Sequence, residues 1–258
     1  MSEALQRHRI PVIDRMMAVL GELERRENGA SISELVLTLQ LPRSTVYRIL
    51  NSLQSHHIVQ RNARGDYRLG RRLLALAAHA SANNGEAELV ALAQPVLEGL
   101  AAELGDSSKL SVFDHGDVLV LAAAQGRRQY ALSVTPGQRM APHAGAASRV
   151  LLAHLPEPEL KRILSQRLEA VTPRTITDPR RLATDLARIR RHGWAQDRGE
   201  SSISIHAFAA PIFSADGRVV AAISVPFIAG TEAERLEQIR LAVIRAAKEL
   251  SARVPETV

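Results

Sequence analysis

Apolar side chains recur at intervals of three and four in two neighbouring stretches near the start of the chain. They are Ile32, Leu35, Val36 and Leu39 in the first stretch, and Val46, Ile49, Leu50 and Leu53 in the second. This spacing predicts two helices that each bury one stripe of side chains. Ser31 or Ser33 can cap the first helix. Pro42, which follows a break at Gln40 and Leu41, suits the start of the second. The pattern is that of a helix-turn-helix.

The segments on either side extend this unit into a winged helix. The apolar side of residues 11–24 predicts a preceding helix, which Asn28 and Gly29 end. After the second helix, Ile58-Val59 and Tyr67–Leu69 have the composition of two short strands. The turn between them runs from residue 62 to residue 66, and Gly65 supplies a permissive backbone there.

The rest of the chain alternates helical and strand patterns. Helices are predicted over residues 69–84, 88–104, 144–154, 157–166 and 179–191, and from Thr231 as N-cap to about Arg253. Asp178 and Pro179 would open the fifth of these as its cap and first residue. Strands are predicted over residues 109–113, 118–124, 203–213 and 218–225, with 130–134 as a further candidate. Because hairpins dominate this order, we expect an antiparallel sheet flanked by helices.

Charge is concentrated in the first segment. The 258 residues suffice for a small and an ordinary-sized domain, and the formal net charge is +6. Arginines outnumber acidic residues by 12 to 7 in residues 1–72, which contain no lysine, whereas residues 73–258 hold 21 basic and 20 acidic residues. The excess positive charge therefore lies in the predicted winged helix, as expected of a segment that contacts a polyanion.

Composition excludes several classes of protein. The chain has no cysteine, so it has no disulfide, thiolate zinc site or cysteine nucleophile. It has no signal-peptide pattern and no run of about 18 apolar residues, so we expect a cytoplasmic protein that does not enter a membrane. Aromatic residues make up 3% of the chain, too few for a platform that stacks single-stranded bases. No metal or cofactor is expected.

The polar face of the second predicted helix has the chemistry of a DNA reader. Its residues are Arg43, Ser44, Thr45, Tyr47, Arg48 and Asn51. Arginine can donate two hydrogen bonds to guanine and asparagine pairs with adenine, while hydroxyls suit phosphates or base edges. Arg61 and Arg64, with Arg68, would lie on or near the wing, within reach of phosphates or a minor groove. Each feature alone is compatible with an ordinary solvated surface, but together they predict binding to double-stranded DNA.

The whole chain resembles the IclR family of transcriptional regulators. The segments that carry the resemblance are LPRSTVYRILNSL, GDYRLGRRLL, MAPHAGAASRVLLAHLP, TPRTITDPRRLATDLARIRRHGWAQDRGE and FAAPIFSADGRVVAAISV. They occur in family order over roughly residues 11–250. The resemblance implies an α+β protein with a winged helix-turn-helix DNA-binding domain at 1–72, a linker and dimerisation helix at 73–85, and a GAF-like α/β effector-binding domain at 86–258. Such regulators bind DNA as homodimers or as dimers of dimers, which would make homotetramers.

The resemblance also suggests residues of an effector pocket. Asp197 matches an acidic position of the family cavity, Ser224 a ligand-binding serine, and Ile205 an apolar wall. Ala146 and Ala147 match positions whose backbone amides hold a ligand carboxylate. Read without the resemblance, Asp197 is a structural cap or salt-bridge partner, and Ser224 is a strand residue on the solvent side. We expect His143 to be a satisfied buried histidine rather than a pocket group.

This chain departs from the family at several pocket positions. Ala207 stands where a cysteine is common, Pro226 where a second pocket serine occurs, and Ser148 and Arg149 where Gly-Lys is usual. Since two polar contacts of the small-acid sensors are missing, we expect a larger or less polar effector. An aromatic catabolite would fit this description, and an organic acid is the other class considered.

These observations predict a ligand-responsive regulator that binds a pseudo-palindromic operator and senses a small catabolic metabolite. The first alternative is a DNA-bound architectural protein whose C-terminal domain senses nothing. The second is an enzyme with a DNA-binding appendage. G-x-S-x-G, H-E-x-x-H, P-loop and dinucleotide-binding motifs are all missing from the sequence, so we expect no catalysis. The change in thermal stability on adding an effector distinguishes a sensor from a scaffold.

Overall fold

The computed structural model describes residues 10–26, 28–82 and 85–256. The chain forms two compact units, residues 1–83 and residues 84–258. Asn83 and Asn84, which the sequence pattern marks as the end of the helix between them, lie outside the described residues.

The first unit is a winged helix-turn-helix followed by one further helix. Its elements are α1 (Pro11–Glu24), α2 (Ile32–Leu39), α3 (Arg43–Ser55), β1 (Val59–Arg61), β2 (Tyr67–Leu69) and α4 (Arg72–Ala82). The predicted stripes meet in one core, where Leu35 of α2 and Val46 and Leu50 of α3 are fully buried. Ser31 and Glu34 form a reciprocal capping box at the start of α2. The prediction of a helix-turn-helix is confirmed.

The wing joins this core through a close approach of two backbones. Strands β1 and β2 pair antiparallel, and Ala30 and Tyr67 exchange two backbone hydrogen bonds of 2.8 and 2.9 Å. At Gly29, where φ is 83°, an added Cβ would lie 2.4 Å from the Tyr67 carbonyl oxygen. Only glycine fits there, which explains why the segment after α1 carries one.

The second unit is a six-stranded antiparallel sheet with helices on both faces. In chain order it contains α5 (Glu86–Leu104), β3 (Ser108–Asp114), β4 (Asp117–Ala124), β5 (Arg139–Met140), α6 (Ala146–Ala153), α7 (Glu157–Leu164), α8 (Pro179–His192), β6 (Ala195–Ser202), β7 (Ile205–Phe213), β8 (Val219–Ile228) and α9 (Ala233–Ser251). The strand order is β5-β4-β3-β8-β7-β6. The expected antiparallel sheet flanked by helices is confirmed.

The two faces of this sheet differ in the size of their side chains. Helices α5 and α9 cover one face, where Phe208, Ile212 and Ile223 form a core of large residues. Helices α6 and α8 cover the other, to which β7 and β8 contribute Ala207, Ala209 and Ala222. The second face therefore leaves room for polar groups between sheet and helix.

Two predicted details are wrong, and the prediction omits strands β5 and β6. Residues 130–134 form no strand, because the side-chain amide of Gln125 bonds to both backbone groups of Val134 and takes the place of a neighbouring strand. The strand in this region is β5 instead. Thr231 does not cap α9; its hydroxyl donates to the Ile228 carbonyl oxygen, and Glu232 occupies the cap position. Strand β6 was not predicted at all.

Among the described residues, no helix has the length and apolar character needed to cross a membrane.

Candidate nucleic-acid interface and buried polar cluster

Helix α3 presents the predicted polar face to solvent. Arg43, Ser44, Tyr47, Arg48 and Asn51 are exposed and Thr45 is half-buried, whereas the opposite stripe, from Val46 to Leu53, is buried. The structure thus brings all six residues that were predicted to contact DNA to one side of one helix. In the described part of the chain, no acidic side chain pairs with an arginine of this face.

The arginines of this face and of the wing differ in how they are held. Arg43 donates to the Ser33 hydroxyl at 3.2 Å, which ties the start of α3 to α2. Arg48 has no side-chain bond among the described residues and is free to contact a ligand. On the wing, Arg61 folds back, donating to the Gly65 carbonyl oxygen at 2.7 Å and lying over the Tyr67 ring. Arg64 is exposed at the tip of the wing.

The second site is a polar cluster on the alanine-rich face of the sheet, beneath α6. Two rows of cross-strand partners define it. The first row is Lys109, Ser224, Ala209 and Ala195, and the second is Pro226, Ala207 and Asp197. Since direct antiparallel partners project to the same face, Lys109, Ser224 and Asp197 share the side on which α6 packs.

Helix α6 begins at this cluster. Gly145 precedes it with φ 101° and ψ 159°, a conformation open essentially to glycine alone. A Cβ added there would lie 3.6 Å from both Asp197 Oδ2 and Ser201 Oγ. The first amides of the helix, at Ala146 and Ala147, have no intrahelical acceptor, and they carry the positive end of the helix dipole. The helix start can therefore attract an anion.

Asp197 is buried and has three internal donors. Its Oδ1 accepts from the amides of Gly199 and Glu200 at 2.8 and 2.7 Å, and its Oδ2 accepts from the Ser201 hydroxyl at 2.5 Å. Burial acts to raise the pKa of Asp197, but the hydrogen bonds from Glu200, Ser201 and Gly199 outweigh it, and the pKa lies below its usual value. Asp197 is thus a charged cap of the β6 bend beside the helix start.

Ser224 is buried, so it is not a solvent-side residue. Its hydroxyl has no hydrogen-bond partner in the described part of the chain, and neither do the buried hydroxyls of Ser111 on β3 and Ser148 on α6. Buried hydroxyls nearly always have a hydrogen-bond partner in native proteins. These three hydroxyls, on elements around one face, thus have unused hydrogen-bonding capacity.

Lys109 is a residue of this cluster that the sequence analysis missed. The sequence offered only the weak signal of a charged residue at the start of a strand. Nζ of Lys109 lies 3.3 Å from the Met140 sulfur, which is its one hydrogen-bond acceptor among the described residues. Burial lowers the pKa of Lys109, and the negative charge of Asp197 acts against this shift.

Arg149 anchors α6 through a second buried group of charges. Its guanidinium donates to Asp185 at 2.5 Å, to the Gln196 carbonyl oxygen at 2.5 Å and to Glu200 at 2.9 Å. Burial, reinforced by contact with Asp197, raises the pKa of Glu200 to about 8, although Arg149 acts to lower it. These bonds join α6, α8 and β6, so Arg149 has a structural role in place of the usual family lysine.

The remaining predicted residues surround this cluster. Ile205 is half-buried at the start of β7, and Ala207 is buried as the strand partner of both Asp197 and Pro226. His143 is buried with Nε2 2.8 Å from the Glu169 carbonyl oxygen, as expected of a satisfied histidine. The described residues contain no group of three acidic, histidine or cysteine side chains placed to hold a metal ion.

Comparison with known proteins identifies the family. The profile of the IclR helix-turn-helix domain matches residues 12–63, and that of the C-terminal domain of bacterial IclR transcriptional regulators matches residues 82–252. This chain belongs to the IclR family of transcriptional regulators. The IclR fold accounts for both units, the N-terminal helix-turn-helix and the GAF-like α+β unit with its curled antiparallel sheet.

Individual relatives agree with this assignment. The chain is 34% identical over 246 residues to the HTH-type transcriptional regulator BhcR of Paracoccus denitrificans, covering 94% of this chain and 86% of that protein. It is 28% identical over 215 residues to the transcriptional repressor AllR of Escherichia coli, covering 83% and 78%. These relatives are named as regulators and not as enzymes.

Solved IclR structures share the fold along nearly the whole chain. The IclR protein of Thermotoga maritima superposes with a TM-score of 0.76 at 24% identity, covering 95% of this chain and 99% of that one. An IclR homologue of Microbacterium hydrocarbonoxydans, solved in complex with 4-hydroxybenzoate, gives a TM-score of 0.72 at 28% identity, covering 93% and 99%.

Proposed function

We propose that this IclR-family protein is a ligand-responsive regulator that binds a pseudo-palindromic operator on double-stranded DNA. Helix α3 of each protomer enters the major groove of a half-site, and the wing contacts the flanking phosphates. The protein acts as a homodimer or a dimer of dimers. A small catabolic metabolite, an organic acid or an aromatic compound, binds beneath α6 and changes the affinity for DNA.

The exposed face of α3 is the observation that carries the DNA-binding proposal. Arg43 and Arg48 project from a helix whose other side is buried, and both can reach guanine edges. The acid-free face and the arginine excess of residues 1–72 favour a polyanionic partner. The exposed Arg64 at the wing tip adds a phosphate contact beside the groove.

The unpartnered polar groups of the second unit support effector binding. Ser111, Ser148 and Ser224 lie buried where α6 covers the sheet, and none has a hydrogen-bond partner among the residues that the structure describes. The 4-hydroxybenzoate complex of the Microbacterium homologue makes an aromatic acid a reasonable class to test. Under this proposal the backbone of Ala146 and Ala147, the side chains of Asp197 and Ser224, and the apolar residues Ile205 and Ala207 line the effector site.

The alternative is a DNA-bound architectural protein with a non-sensing C-terminal unit. Both functions predict DNA binding, but only the sensor predicts stabilisation by a metabolite. The buried hydroxyls favour the sensor, because a scaffold would not need to keep donors without partners.

The experiment combines genome-wide mapping of bound sites with footprinting of purified protein on the sites found. We expect a pseudo-palindromic site next to catabolic genes, with thermal unfolding raised by a metabolite of the adjacent pathway. The absence of any preferred site in the native genome would overturn the DNA-binding proposal. Preferred sites without stabilisation by any metabolite of those pathways would favour the architectural protein.

A further inference from the structure

A half-buried lysine distinguishes this cluster from a neutral one. Lys109 lies in β3 as the direct cross-strand partner of Ser224, and both project to the face beneath α6. The Cβ atoms of such partners are about 5 Å apart, so both side chains can reach one shared ligand atom. The positive charge and an unpartnered hydroxyl are thus neighbours.

Among the described residues, Lys109 has no adequate hydrogen-bond partner. Its ammonium group can donate three hydrogen bonds, yet the one acceptor among the described residues is the weakly accepting sulfur of Met140, at 3.3 Å. No carboxylate oxygen of those residues lies within 4.0 Å of its Nζ. Even partial burial of an ammonium without good acceptors is costly, and an anion beside it would lower the cost.

Asp197 is the nearest candidate for a counter-ion, but it already has other donors. Two backbone amides and the Ser201 hydroxyl hold its two oxygens at 2.5 to 2.8 Å. It affects Lys109 only through its charge at a longer distance. The pair therefore does not form the close ion pair that would explain the half-buried Lys109 as a structural element.

We propose that Lys109 Nζ and Ser224 Oγ form an oxyanion subsite that holds a carboxylate of the effector. This subsite is separate from the amides at the start of α6, where the family resemblance places a ligand carboxylate. The inference rests on the proposed sensing function and narrows its effector to organic acids whose charged group contacts a lysine. The expectation of a larger or less polar effector followed from the two polar contacts missing at residues 207 and 226. Under this proposal Lys109 supplies a polar contact to the effector in their place.

The test measures the affinity of carboxylic acids for the full-length protein by calorimetry and thermal unfolding. The probes are 4-hydroxybenzoate, benzoate, succinate and the acids of the pathway beside the mapped operator, each paired with its neutral amide. We expect at least one acid to bind while its amide does not. A protein that binds the amides as tightly as the acids, or that binds no acid at all, would contradict the subsite.

Matched variants separate the subsite from general effects of charge. Lys109→Gln removes the charge, and we expect it to weaken the bound acid by about ten- to a hundredfold, since a hydrogen bond to a charged group is worth roughly that much. The exposed Lys248 provides the control Lys248→Gln, which should bind like wild type. Ser224→Ala should weaken the acid less than Lys109→Gln does.

Two outcomes distinguish this inference from the proposed function. If Lys109→Gln folds, protects the operator and binds the acid as wild type does, the subsite is wrong while the sensor stands. If Lys109→Gln fails to fold, Lys109→Met and Lys109→Arg replace it, and we expect arginine to restore part of the affinity that methionine loses. Equal binding by those two variants would also overturn the proposal.

Discussion

At the scale of single residues, the charges on the exposed face of α3 and the buried charges of α6 have different roles. The first are available for binding, and the second stabilise the fold. Arg48 on α3 is exposed and free to form new bonds with a ligand. Arg149 on α6 is fully buried, and three acceptors already hold its guanidinium. Substituting the first should affect binding and spare stability, whereas substituting the second should destabilise the unit, because it breaks the buried bonds from α6 to Asp185, Gln196 and Glu200.

Arg48→Ala should weaken operator binding by about 1 to 3 kcal/mol and relax specificity at the base pair that it contacts. Arg43→Ala should do the same, and it also breaks the bond to Ser33. Gel-shift titration and footprinting on the mapped operator measure both. The control is Arg180→Ala, which removes an exposed arginine from α8. If Arg43→Ala and Arg48→Ala both protect the operator as wild type does, the exposed face of α3 does not contact bases.

Glu200→Gln should change the pH dependence of stability. The raised pKa of Glu200, about 8 in the folded protein, means that the native state keeps a proton that the unfolded state loses above the ordinary pKa of 4.5. Wild type therefore loses stability as pH rises from about 4.5 to about 8, because unfolding then releases a proton. Glutamine carries no such proton and can still accept from Arg149.

Urea denaturation at several pH values tests this prediction. The stability of Glu200→Gln relative to wild type should increase steadily across that window and level off above it. A difference that stays constant with pH would mean that Arg149 keeps Glu200 ionised throughout. Comparing the two proteins at each pH cancels the contributions of other titrating groups, such as the half-buried His154, whose lowered pKa acts in the opposite direction.

At the scale of elements, helix ends follow local chemistry. Ser31 accepts a hydrogen bond from the Glu34 amide, and the Glu34 carboxylate accepts one from the Ser31 amide at 2.7 Å. Asp178 caps α8 through the amides of Arg180 and Arg181. Both caps are recognisable in the sequence because the donor and the acceptor lie within three residues of each other.

Ser31→Ala should destabilise the winged helix by about 0.5 to 2 kcal/mol through loss of the N-cap. Hydrogen exchange of the α2 amides measures the change in stability at this helix, and it does not depend on the unfolding of the second unit. Ser52→Ala, at an exposed position inside α3, is the control and should leave exchange in α2 unchanged. Equal protection in wild type and Ser31→Ala would show that tertiary packing alone holds the helix.

At the scale of the whole molecule, the proposed switch needs two DNA-binding units held by a dimer. Helix α4, between the two units, exposes 71% of Leu74 and 48% of Leu76 in the single chain. A helix that leaves two leucines in water is a candidate for covering by a second copy. Effector binding then needs a coupling of only about 1 to 3 kcal/mol to change operator affinity 5- to 150-fold.

Replacing Leu74 and Leu76 together by aspartate should weaken self-association at least about tenfold, because each buried leucine contributes roughly 1.5 to 3 kcal/mol. Sedimentation equilibrium measures the dissociation constant directly. The control is Leu37→Asp, which places the same charge at a still more exposed leucine of α2. Unchanged association of the double variant would locate the dimer contact elsewhere.

The sequence by itself determined the features that depend on residues close together in the chain. Apolar spacing located the helices of the winged unit, and Asp178 with Pro179 marked the start of α8. The polar face of α3 was equally legible, since a helix with one buried stripe must expose the other side. The family resemblance supplied the pocket positions, which no local pattern could have given.

Tertiary structure decided what depends on neighbours distant in the chain. Strand β6 has a polar sequence, AQDRGESS, and forms because β7 supplies its hydrogen-bond partners. Residues 130–134 have a strand-like composition but bond to the Gln125 side chain instead. Lys109 became a candidate site residue only when the β3–β8 register placed it beside Ser224, 115 positions further along the chain. Residue types and spacing cannot encode such pairings, because strand register is fixed by long-range contacts.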